Sequence, residues 1–244
     1  MKESKFRILF ISFIVALFFS FIVSSSVSLL KDRQEKNIRL DRLKHILSVA
    51  GDGYNMKIAM VDMRNGDYSF VDSDDEFYKN FRMLATGGSS IKLSKVENII
   101  GVGSYPSKMP VYIFYDDKGV MQRMVLLIYG NGLWSTMYGF IGLEKDLATV
   151  SSITFYDQKE TPGLGGEVDN PSWKALWKGK KIYDDNGDVT LSVKKGGDGS
   201  LYSVDGLSGA TMTTKGVDNI IKFWFGDNGY RKFFKKFTGE KNGN

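Results

Sequence analysis

VYIFYDDKGVMQRMVLLIY, residues Val111–Tyr129, reads as two apolar strands joined by a turn. Val111–Tyr115 and Val120–Tyr129 are rich in aromatic and branched residues, and Asp116-Asp117-Lys118-Gly119 between them ends on glycine. That combination predicts an antiparallel hairpin. The surrounding chain keeps the style. From Tyr54 onward the pattern is mostly strand, with another short strand at Ser152–Tyr156. Asp184-Asp185-Asn186-Gly187 is a second turn, placed before a strand at Val189–Val193. The two turns share turn chemistry and do not mark a repeat. Helices are interspersed. Pro171-Ser172-Trp173 starts a short one that runs through Trp177, and Lys215–Trp224 is another. In the latter Val217, Ile220, Ile221 and Trp224 fall at i, i+3, i+4 and i+7. The sum is one α+β domain of roughly 190–210 residues.

Composition narrows the chemistry. The 244 residues include no cysteine and one histidine, His45. Disulfides, thiol nucleophiles, Fe–S clusters, Cys-based zinc sites and paired-His metal sites are thereby excluded. Redox chemistry must use a borrowed cofactor. Hydrophobic residues make up 42% and charged residues 25%, so the chain is globular rather than disordered. A net charge of +5 is too mild to be a nucleic-acid footprint, and no nucleic-acid partner is expected.

The N-terminal region is of another kind. Ile8–Leu30 is an uncharged run of 23 residues. As a helix it is about 34 Å long, enough to cross a ~30 Å hydrocarbon core. Ser24-Ser25-Ser26 resembles a signal-peptidase site, but the apolar run exceeds the usual ~7–15 residues of a signal peptide. We therefore assign residues 1–31 to a tail and single transmembrane anchor, and 32–244 to the domain. The flanks carry Lys2, Lys5 and Arg7 on one side and Lys31, Arg33, Lys36, Arg39, Arg42 and Lys44 on the other. The count leans toward a cytoplasmic domain, yet long domains translocate largely regardless of charge, so charge leaves the side open. Asn37–Ala50 follows as an amphipathic helix stopped by Gly51. His45 on it is read as a packed or solvated residue without a catalytic partner. Asp72-Ser73-Asp74-Asp75-Glu76 lacks the glycine and distal Glu of a calcium loop and is read as a solvated acidic loop. The tail Arg231–Phe237 is read as a terminal helix packing its phenylalanines on the domain.

Three stretches carry the candidate chemistry. Asp205-Gly206-Leu207-Ser208-Gly209-Ala210-Thr211-Met212-Thr213-Thr214 runs small residues into a helix start. Unpaired N–H groups and the positive end of the helix dipole meet there, which suits a phosphate. Thr213 or Thr214 as N-cap is the plain alternative. Glu160-Thr161-Pro162-Gly163-Leu164-Gly165-Gly166-Glu167 is a fixed, exposed loop able to lie against a planar ligand, or a plain surface loop. In Gly132-Leu133-Trp134-Ser135-Thr136-Met137-Tyr138-Gly139-Phe140, the pattern favours Trp134 and Tyr138 as core aromatics over pocket walls.

These residues also carry a resemblance. Asp205–Thr211 is similar to the flavinylation motif Asp-x-x-(Ser/Thr)-Gly-Ala-Thr. With Leu133–Phe140, Glu160–Glu167, Glu167–Pro171 and Trp173–Trp177, it resembles the C subunits of Na+-translocating NADH:quinone oxidoreductases over roughly residues 99–237. The G subunits of Rnf ferredoxin:NAD oxidoreductase complexes share the Ser-Gly-Ala-Thr core and are the alternative. A cofactor-free, membrane-anchored binding domain is the alternative from another class.

The resemblance implies an electron-transfer subunit that does not turn over alone. It implies FMN joined through its phosphate to the Thr211 hydroxyl, with Ser208, Gly209, Ala210, Thr213, Thr214 and Asp205 about the phosphate. Glu160, Thr161, Gly163, Leu164, Gly165 and Trp134 would lie about the ring. Attachment implies a flavin transferase that uses FAD and Mg²⁺ and releases AMP. The partners implied are the other subunits of a six-subunit membrane complex. The location implied is the bacterial inner membrane, crossed once, with the domain on the periplasmic side. No metal ligand and no catalytic residue is expected in the chain itself.

Overall fold

No glycine or proline occurs between Lys5 and Ala50, and a single helix, α1, spans Lys5–Ala50. A computed structural model describes residues 5–51 and 53–241. The helix expected from Asn37 is thus the continuation of the anchor helix, since nothing in between breaks it. Ser26 fits within it by donating its hydroxyl to the Ile22 carbonyl at 2.8 Å. Phe6–Lys31, with a mean hydropathy of 2.6, is long and apolar enough to cross a membrane. Gly51, at φ +83°, ends α1 and donates its N–H to the Leu47 carbonyl at 2.9 Å.

The chain divides into two compact units, one up to Leu43 and one from Lys44. The second unit takes in the end of α1. Ile46, Val49 and Ala50 are buried, and the His45 ring lies 5.9 Å from that of Tyr156. Next come β1 (Asn55–Asp62), β2 (Tyr68–Val71), α2 (Asp75–Lys79), α3 (Phe81–Thr86), β3 (Ile91–Lys92) and β4 (Ser104–Tyr105). The expected hairpin is β5 (Lys108–Tyr115) and β6 (Met121–Asn131), followed by β7 (Thr136–Glu144) and β8 (Val150–Asp157). A 3₁₀ turn (Gly165–Asp169), α4 (Pro171–Ala175), β9 (Ser192–Lys194), β10 (Ser203–Asp205), α5 (Thr211–Phe225) and α6 (Arg231–Lys241) complete it.

Six strands form one antiparallel sheet in the order β2-β1-β5-β6-β7-β8. The Asp116 turn closes as its sequence dictates. Asp116 Oδ1 accepts from the N–H of Lys118 and Val120, and Gly119 sits at φ +74°. The second turn behaves differently. Asp184 organises it, but Thr190 and Leu191 both turn their N–H groups to the Ile182 carbonyl. Val189 makes only an isolated bridge to Tyr183, and the paired strand is Ser192–Lys194 rather than Val189–Val193. Asn170 caps α4 through the Ser172 N–H, and the helix ends at Ala175, short of Trp177.

The acidic stretch at Asp72 is not a wholly solvated loop. Asp75 starts α2, and Asp74 is 7% exposed because the Tyr112 hydroxyl, from inner strand β5, donates to its carboxylate at 2.5 Å. The terminal helix packs as expected, burying Phe233, Phe234 and Phe237.

Two glycines set how closely α5 approaches the sheet. A Cβ on Gly130 of β6 would stand 2.7 Å from Ile220 Cγ1, and one on Gly216 of α5 would stand 2.5 Å from the Asn131 carbonyl oxygen. The β5–β6 ladder runs no further than Val111–Leu126. Beyond it the Leu127 carbonyl accepts from the Tyr230 hydroxyl at 2.8 Å, and the Tyr129 carbonyl from the Trp224 indole at 2.7 Å. Helix α5 is thereby held against the end of β6 by contact and by the Trp224 hydrogen bond, and Tyr230 ties down the segment that follows it. Gly216→Ala should push it off that strand end and lower stability by about 1–3 kcal/mol in thermal unfolding. Gly239→Ala, in open space on α6, should leave stability unchanged or raise it by up to about 1 kcal/mol.

Candidate functional site

Glu160 lies three residues beyond β8 and is 5% exposed, with its carboxylate turned inward. It accepts the backbone N–H groups of Leu133, Trp134 and Ser135 at 3.1, 2.9 and 3.3 Å. It also accepts the Thr213 hydroxyl at 2.5 Å. One carboxylate thus joins the β6–β7 hairpin tip, the loop after β8 and the first turn of α5. Burial pushes the Glu160 carboxyl up, but the bonds from Thr213, Trp134, Leu133 and Ser135 outweigh it and hold the group below its ordinary range. Two glycines leave it room. A Cβ on Gly132 would stand 2.6 Å from Glu160 Oε1, and one on Gly165 would collide with Thr213 Oγ1.

The start of α5 differs from the plain expectation. The helix begins at Thr211, and Ala210 precedes it with no side-chain cap. Neither Thr213 nor Thr214 is the N-cap, because both lie inside the helix. Thr213 donates to Glu160, and Thr214 Oγ1 accepts the Leu207 N–H at 3.0 Å. Both are buried, whereas Thr211 is exposed. Helix geometry leaves the first N–H groups of α5 without intrahelical carbonyls, and the methyl of Ala210 offers them no oxygen. The same end carries the positive pole of a helix that runs 15 residues.

The other predicted residues separate into two groups. Ser208, Gly209, Thr161, Gly163 and Leu164 are exposed near the helix start. Gly209, at φ +72°, lies so close to Leu164 that a Cβ would stand 3.0 Å from its Cδ2, so these two loops touch. Asp205 faces elsewhere. Its Oδ1 accepts from the N–H groups of Gly196 and Gly197 at 2.9 and 3.2 Å, and its carbonyl accepts the Trp173 indole at 2.9 Å. Gly165 is buried beneath its loop rather than presented on it. The loop's N–H groups at Leu164, Gly166 and Glu167 turn inward to carbonyls of Thr161 and Leu164.

Trp134 is 70% exposed and is not a core aromatic. The hydrogen bonds of residues 133–135 to Glu160 fix the backbone of this tip and leave its indole outside. Leu133, Leu164 and Met212 are 50%, 43% and 55% exposed, so an apolar surface flanks the helix start. Sequence reasoning missed Met212, since its exposure follows from the helix starting at Thr211. It also missed the inward role of Glu160, for which a carboxylate at a Gly-rich loop gives no signal by itself.

Residues 132–226 match the FMN-binding domain family. The chain is 37% identical to the C subunit of the Na(+)-translocating NADH-quinone reductase of Haemophilus ducreyi, in a match that covers 100% of this chain and 98% of that protein. It is 38% identical to the corresponding C subunit of Pseudomonas aeruginosa, with 95% of each chain covered. The crystal structure of Shewanella oneidensis NqrC superposes with a TM-score of 0.73 at 31% identity, over 84% of this chain and 99% of that one.

Protonation of Glu160 should loosen all three loops together. A carboxyl held low in the folded state stabilises the fold at neutral pH, and that contribution disappears as pH falls through its folded pKa. Glu160→Gln should lower stability at pH 7 by about 1–3 kcal/mol, and its unfolding temperature should fall less on acidification than that of wild type. Thermal melts between neutral and acid pH measure both.

Proposed function

The chain belongs to the family of C subunits of Na+-translocating NADH-quinone reductases, and from that premise we propose that it carries FMN covalently on Thr211. The observation that carries this reading is the sorting of three neighbouring hydroxyls. Thr213 and Thr214 are buried with partners, while Thr211 is exposed at the uncapped start of α5. A phosphodiester there is an acceptor for the open N–H groups and a negative charge at the positive end of the helix. Trp134, Leu133, Leu164 and Met212 offer apolar surface for a flat ring beside it. The residues present therefore fit the group.

In this reading the work is divided among named residues. Thr211 Oγ1 would hold the FMN phosphate as a phosphoester, made by a separate Mg²⁺-dependent flavin transferase from FAD, whose pyrophosphate bond would break as AMP leaves with the hydroxyl proton. Bound FMN supplies one- and two-electron transfer, and the tether leaves its ring unmodified. Ser208 and Gly209 border the phosphate end, and Leu164 touches Gly209 across the gap. Glu160 acts from beneath, by holding Trp134 and Thr213 in place. The chain serves as a relay within a six-subunit membrane complex. Its helix Phe6–Lys31, long and apolar enough to cross a membrane, is the anchor, and in this reading the domain lies on the periplasmic side.

Two measurements test this. Intact mass of wild type produced with the transferase should exceed the chain mass by one FMN less one water. Thr211→Val keeps the shape and removes the nucleophile, so that mass should be absent while the unfolding temperature is kept. If folded Thr211→Val retains the mass, Thr211 is not the attachment residue. For topology, a reporter active only in the periplasm, fused after Asn244, should be active. Activity from a cytoplasm-only reporter at the same place would instead show that the basic flank Lys31–Lys44 governs insertion.

A further inference from the structure

A concavity is formed by residues of the sheet and of the α2–α3 region. Tyr78 and Phe81 from the α2–α3 region, Leu127 of β6, Tyr138 of β7, and Tyr156 and Asp157 of β8 line a pocket of about 270 Å³. Its aromatic walls are packed against other rings. Tyr138 stacks on Tyr129 at 5.3 Å, Tyr156 stacks on Phe140 at 5.0 Å, and Phe81 meets Tyr138 edge-on at 5.7 Å. Tyr78 is braced by a hydrogen bond of 2.9 Å between its hydroxyl and that of Tyr112. Burial, and then the neighbouring Asp157 carboxylate, push the Tyr138 phenol above its ordinary range.

Among the described residues no lysine or arginine lines this pocket, and its polar side-chain atoms are all oxygens. Phenol oxygens and a carboxylate carry negative potential and aromatic rings attract cations, so this lining favours positive charge. A hard metal ion is poorly served, because it needs several oxygen ligands and Asp157 is the only carboxylate among these lining residues. A large, weakly hydrated cation meets these walls without that need. We propose that this pocket binds a small organic ammonium ion, with its methyl groups against Tyr138, Tyr156 and Phe81 and its charge balanced by Asp157.

The flavin-loaded full chain in maltoside detergent is titrated with tetramethylammonium chloride at constant ionic strength set by sodium chloride. Aromatic proton shifts are followed by NMR. Saturable shifts of the pocket tyrosines are expected, with a Kd on the order of 1 mM. The uncharged 3,3-dimethylbutan-1-ol, which has the shape of choline, should bind at least about tenfold more weakly. Asp157→Asn should weaken tetramethylammonium about tenfold without changing the affinity for the alcohol, and Asp157 is exposed enough for the variant to fold. Choline binding far better than glycerophosphocholine assigns the site to a free ammonium, and equal binding assigns it to a lipid headgroup. Absence of saturable shifts, equal affinity for the alcohol, or a folded Asp157→Asn protein with unchanged affinity would overturn the proposal.

Discussion

The Glu160 carboxylate is the constraint on which the site depends. Three backbone N–H groups and one hydroxyl converge on it from segments far apart in sequence. Each would be an unsatisfied polar group at the end of a sheet if the carboxylate were absent. A buried charge is costly, and here four donors compensate it. The outcome is positional. The hairpin tip, the loop after β8 and the first turn of α5 acquire one common origin, and outward residues such as Trp134 and Thr211 take their places from it.

That convergence needs backbones to come close, which the glycines at 130, 132, 165 and 216 permit. Each sits where a methyl group would meet an atom at 2.7 Å or less. At Gly165 the constraint is packing, not conformational freedom, since its φ is not positive. This separates it from Gly209, whose left-handed backbone turns the chain into α5. Two glycines of neighbouring motifs thus serve different physical ends, one making room beneath the site and the other shaping its rim.

Local chemistry was legible in the sequence. The Asp116 turn, the apolar face of α5 and the long N-terminal apolar run rest on neighbours in the chain; the structure shows the turn, the face, and a helix over Phe6–Lys31 long and apolar enough to cross a membrane. The limits of α5 were not legible. Its first turn is polar and lacks the apolar period, so a reading by periodicity starts the helix at Lys215 instead of Thr211. The burial of Asp74 and the exposure of Trp134 depend on partners far off in sequence, Tyr112 for one and Glu160 for the other. The Ser-Gly-Ala-Thr segment pointed to Thr211 by resemblance alone, and the folded arrangement adds that Thr211 is exposed while the two threonines after it are buried.

Ala210 has a consequence of its own. Helices of this length are ordinarily closed by a Ser, Thr, Asp or Asn side chain at this position, and a methyl group leaves the closing to something outside the chain. On the proposal that Thr211 carries FMN, the phosphate supplies the acceptor that Ala210 lacks, at a first turn that Thr213 and Thr214 already tie to Glu160 and Leu207. An amide-exchange or proteolysis experiment would tell a loaded molecule from an unloaded one at this helix, with no flavin signal needed.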